Sequence, residues 1–87
     1  MPYPPEFLKL VDEFIHVANR LAADGKDGEV SAAILFAAGR YNSFNFVTHN
    51  GTEQDRERAV EYYVTEYRKA LIANMEGELG PVVKAQG

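Results

Sequence analysis

Val30-Ser31-Ala32-Ala33-Ile34-Leu35-Phe36-Ala37-Ala38-Gly39-Arg40-Tyr41-Asn42-Ser43-Phe44-Asn45-Phe46-Val47 is the stretch on which the fold of this chain turns. Projected at about 100° per residue, Val30, Ala33, Ile34, Ala37, Tyr41 and Phe44 share one side. Ala32, Leu35, Gly39 and Phe46 lie roughly opposite, and Phe36 and Val47 fill part of a third face. A surface helix needs only one apolar stripe, so a helix that is apolar nearly all round belongs in an interior. The rest of the chain is therefore expected to cover it.

On the N-terminal side, Pro2, Pro4 and Pro5 hold the first residues extended, and Pro5 suits the first turn of a helix, where a missing N–H costs nothing. From Glu6 to about Ala23, Phe7, Leu8, Val11, Phe14, Ile15, Ala18, Leu21 and Ala22 follow helical spacing, with Lys9, Asp12, Glu13, His16 and Arg20 on the other side. This spacing predicts a first amphipathic helix over residues 5–23. Asp24-Gly25-Lys26-Asp27-Gly28 then supplies a tight connection, with Asp27 expected to cap a second helix over 29–47.

On the C-terminal side, Thr48-His49-Asn50-Gly51 reads as a turn whose Asn-Gly pair tolerates positive φ. Thr52 and Asp55 form the pattern of a capping box with Asp in place of Glu, and Glu53 adds charge that the helix dipole favours. A third helix is expected over 53–76, its apolar stripe made of Val60, Tyr63, Val64, Tyr67, Ala70, Leu71 and Met75. Gly77 is a natural stop, and 77–87 reads as a loose tail from which Leu79, Val82 and Val83 can fold back.

Eighty-seven residues make one domain and not two, so the expectation is a single helical domain over 1–87. A chain this short buries only about 60–65% of its unfolded surface, which makes association with a second copy a natural way to bury more. At 46% hydrophobic, it clears the threshold for a folded protein. Its net charge of −4, with no cluster of Lys and Arg, argues against nucleic acid as partner. The absence of Cys excludes disulfides and thiolate metal sites, and fits a reducing cytoplasm. Nothing reaches the roughly 18 continuous apolar residues of a membrane span, and no secretory leader is recognisable.

Few groups are candidates for chemistry. Arg40-Tyr41-Asn42 lies in the middle of the apolar helix, where an arginine must reach a carboxylate or the surface. In the reading we favour, its stem covers Phe36 and Val47 while its guanidinium pairs with an acidic residue of a neighbouring helix. In the alternative, Arg40, Tyr41 and Asn42 bind a small molecule or an anion, although Arg40 and Asn42 diverge by about 160° on the helix. Asp12 and His16 stand four apart on the polar face of the first helix and read as a solvated pair rather than two ligands of a metal. The glycines before the second helix do not make a phosphate loop, because Asp24, Asp27 and Glu29 would repel the phosphate. Ser31 and Ser43 have no triad partners, so no catalytic residue and no cofactor is assigned. Asn19 and Asn74 sit at the edges of apolar faces, where an amide can satisfy a helix end.

Ala18-Asn19, Val30-Ser31-Ala32-Ala33, Arg40-Tyr41-Asn42 with Phe44, and Tyr62-Tyr63-Val64 leading to Tyr67-Arg68-Lys69, Leu71 and Asn74 form a further pattern. It resembles that of a small bacterial family of short helical proteins, found mainly in proteobacteria and catalogued only as a domain of unknown function. The likeness covers roughly Phe7 to Met75, with Gly39 and Ala70 standing where the pattern has Ala and Met. It implies a helical fold and carries no activity or site residue with it.

These observations predict an all-α, antiparallel three-helix arrangement with a buried central helix. The function they favour is a non-catalytic interaction protein that self-associates, most simply as a homodimer. Gly39 sharpens the expectation: glycine inside a helix costs about 1 kcal/mol relative to alanine, which a close approach of another helix backbone would offset. Leu35, Gly39 and Phe46 are accordingly the residues expected to mediate self-association.

Overall fold

Pro5 occupies the first turn of α1 (Pro5–Leu21), preceded by Pro4 in an extended conformation, as the fixed φ of proline and its missing N–H favour. The computed structural model describes residues 3–77. α1 is followed by a short 3-10 turn (Ala23–Gly25), then α2 (Asp27–Thr48) and α3 (Glu53–Met75). Among the described residues the protein is all-helical and contains no strand. The tail expected beyond Gly77 lies outside the described residues.

The helix boundaries follow from local chemistry. α1 stops at Leu21 rather than near Ala23, because Asp24 takes a left-handed φ of 70°. α2 starts two residues earlier than its spacing indicated. Asp27 is its first residue and not its cap, and the Val30 N–H bonds to the Lys26 carbonyl at 2.9 Å. Asp27 and Glu29 still put negative charge in the first turn, where the dipole favours it. α3 ends at Met75, followed by Gly77 with φ 75°, a conformation that costs glycine nothing. The Asn74 amide donates to the Ala70 carbonyl at 2.8 Å, one turn back on the same helix.

The described residues form two compact units, 3–38 and 39–77, with the division inside α2 between Ala38 and Gly39. In the first, Ala18 and Ala22, four apart on one face of α1, are the buried apolar residues at 8% and 4% exposure. Leu8, Asn19 and Val30 are half-buried, and the Tyr3 ring stacks on Phe7 with centroids 5.2 Å apart. In the second, no residue is fully buried; Asn42 and Phe46 of α2 and Asp55, Ala59, Tyr63, Ala70 and Ala73 of α3 are half-buried.

Three expectations are not met among the described residues. α2 has no buried residue, so the helix expected in the interior is not buried among the described residues. On α3, the shielded line through Ala59, Tyr63 and Ala70 stands about a quarter turn away from the centre of the apolar stripe. Val60, Val64, Tyr67, Leu71 and Met75 of that stripe are exposed. The close approach expected at Gly39 is likewise missing among the described residues: none of them lies within 4 Å of where a Cβ would stand. Phe36 is 80% exposed.

Candidate functional site

The connection between α2 and α3 is built from consecutive helix-end devices. The Gly51 N–H bonds to the Phe46 carbonyl at 2.9 Å and the Asn50 N–H to the Val47 carbonyl at 3.1 Å, with Asn50 at φ 64°. This is a Schellman closure with Asn in the left-handed position. The Asn45 carbonyl accepts from Thr48 Oγ1 at 3.2 Å and from His49 Nδ1 at 2.9 Å. A carbonyl only accepts, so Nδ1 carries the proton and Nε2 is left over.

Gly51 matters for its missing Cβ. A methyl there would stand 2.4 Å from the Phe46 ring, so the glycine lets that ring fold over the turn. Directly after it, Thr52 caps α3. Its Oγ1 accepts from the Asp55 N–H at 3.3 Å, and the Asp55 carboxylate accepts from the Thr52 hydroxyl at 2.8 Å and the Thr52 N–H at 3.2 Å. Both bonds from Thr52 favour the ionised carboxylate and hold Asp55 below its ordinary value, with Arg58 adding a smaller push in the same direction. Arg58 stands 3.9 Å from Asp55, and Arg56 pairs with Glu53 in the first turns of the same helix.

Between these elements runs an open groove of about 540 Å³. Phe46, Tyr62 and Tyr63 give it aromatic walls, and His49, Asp55 and Arg58 its charged or polar ones. Tyr62 and Tyr63 meet edge to face, centroids 5.4 Å apart.

The residues singled out from the sequence stand elsewhere, apart from Phe46. Arg40 and Tyr41 are exposed and Asn42 is half-buried, and none of the three lines the groove. Tyr41 pairs with Phe44 instead, centroids 5.9 Å apart. Arg40 makes no ion pair with any described residue, so the acidic partner expected on a neighbouring helix is not met there. Of the self-association set, Leu35 and Gly39 are exposed while Phe46 is engaged with the turn. Asp12 and His16 are exposed on α1, and no group of three potential metal ligands gathers among the described residues. The groove itself was signalled in the sequence by Asn50-Gly51 and Tyr63, which read separately as a turn and as part of the apolar stripe of the third helix.

Residues 7–78 match the family described as Protein of unknown function (DUF3144). The chain belongs to that family. The match spans the three helices from the third residue of α1 onward and bears out the resemblance drawn from Ala18-Asn19, Arg40-Tyr41-Asn42 and the tyrosines of α3. No curated protein and no solved structure matches the chain. Among the described residues, no helix is long and apolar enough to cross a membrane.

Proposed function

We propose that this DUF3144 protein is a non-catalytic interaction module that works as a homodimer in the bacterial cytoplasm, with α2 buried at the interface. The observation that carries this reading is that α2, apolar on nearly every side, has no buried residue in the single chain. Ile34, Leu35 and Phe36 in the first unit, and Tyr41, Phe44 and Val47 in the second, are all exposed. Isolated helices are marginal in water and draw their stability from packing, which two alanines in α1 do not supply. A second copy is a cover present at equal amount wherever the chain is made. Val60, Val64, Tyr67 and Leu71 of α3 are exposed apolar residues as well.

The area is sufficient. Buried aromatic side chains alone bring about 150–250 Å² each, and a stable interface takes roughly 800 Å² from each partner. Six large apolar residues of α2 together with the stripe of α3 reach that figure. Within each unit, consecutive helices joined by short connections run antiparallel, and the central helix gains its burial from the partner. The lack of Cys supports a reducing compartment. Thermal unfolding followed by circular dichroism over a wide dilution series tests the reading, because folding coupled to association makes Tm depend on protein concentration. A Tm independent of concentration would overturn it.

A further inference from the structure

We propose that the groove between the end of α2 and the start of α3 binds a small aromatic carboxylate. Its volume of about 540 Å³ lies in the range of small-ligand sites, roughly 300–1,000 Å³. Phe46, Tyr62 and Tyr63 offer flat apolar faces to a ring, and Gly51 fixes where the Phe46 ring lies.

The polar groups decide the charge of the ligand. Asp55, the acidic residue of the groove, is already engaged, accepting from the Thr52 hydroxyl and the Thr52 N–H. Arg58 touches Asp55 through one nitrogen at 3.9 Å, and its side chain is 84% exposed, which leaves most of its donors free. His49 commits its Nδ1 proton to the Asn45 carbonyl, so Nε2 is an acceptor and the donors for an anion are those of Arg58. With the acidic group engaged and the guanidinium donors available, the complement is an anion on a planar apolar body. A guanidinium fork matches the two oxygens of a carboxylate. A phosphate would need more, since the capping box occupies the start of α3 and the chain carries a net charge of −4.

The test is a titration of the full chain with naphthoate and, as a neutral control, naphthamide, followed in ¹H–¹⁵N spectra. Saturable shifts are expected at Asn50, Gly51 and the Arg58 side chain, with naphthoate bound about tenfold more tightly than naphthamide, the worth of one charged hydrogen bond. Arg58→Met should lose about the same factor, while Arg40→Met leaves binding unchanged. Circular dichroism melts check that both exposed substitutions preserve the fold. Absence of saturable shifts at these residues, equal affinity for acid and amide, or an unaffected Arg58→Met variant would overturn the proposal. A chain that forms dimers yet shows no groove shifts would overturn it while leaving self-association standing.

Discussion

At the turn between α2 and α3, Asn45, Thr48, His49, Thr52 and Asp55 all have hydrogen-bond partners within four residues in sequence. From Leu35 to Arg40, in the middle of α2, no side-chain hydrogen bond or ion pair is present among the described residues, and Phe36 stands open to solvent. Both regions contain a glycine beside aromatics, yet Gly51 lies under a ring and Gly39 faces empty space. The contrast separates two kinds of instruction in one chain. The turn is specified by short-range chemistry and completes itself, whereas the middle of α2 is specified as apolar and is left unburied by the described residues.

The largest effect expected from breaking that contrast comes from Phe36→Asp. If a second copy covers α2, a charge at this position should cost self-association at least about 2 kcal/mol, as loss of a central aromatic does in other interfaces. On a solitary helix, the same exposed change would stay within about 0.5 kcal/mol. Concentration-dependent melts distinguish the two.

Gly51→Ala comes next, with an expected cost of about 1–3 kcal/mol in urea melts, because the Phe46 ring must move aside. In a Phe46→Ala background the cost should largely vanish, and additive effects would show that ring and glycine are not coupled.

Thr52→Ala should cost about 1 kcal/mol through loss of the cap. Its pH dependence follows from Asp55. The folded carboxyl titrates below its ordinary value of 3.8, so its contribution is present above that pH and is lost as pH falls through the lowered value. Thr52→Ala should flatten this part of the acid limb of the stability curve. An unchanged acid limb would mean that the cap does not set the ionisation of Asp55.

Gly39→Ala is the smallest effect and the most sensitive to sign. Within one chain the methyl meets open space, and helix propensity alone should raise stability by up to about 1 kcal/mol. A partner backbone lying over Gly39 reverses this, and we expect association to weaken in dilution experiments.

What was legible in the sequence divides along the same line. The capping box at Thr52 and Asp55, the positive φ within Asn50-Gly51, the proline start of α1 and the glycine end of α3 all appear as read, because each depends on residues a few positions apart. Asp27 was misplaced by a residue, since Asp serves equally well as a cap and in the first turn, and only the backbone conformation of Lys26 decides. The packing of the Phe46 ring on Gly51 was not foreseen, because a helical projection does not show that the chain after Asn50 folds back over it. The groove was missed for a related reason: its walls come from two helices, and their register depends on the Schellman closure between them.

The most direct measurement is the mass of the full chain by sedimentation equilibrium at tens of micromolar. The account predicts twice the monomer mass of 9.7 kDa, with dissociation on dilution coupled to loss of helix. A folded, fully helical species holding at 9.7 kDa throughout would contradict it, because α2 would then be stable with its apolar faces in water.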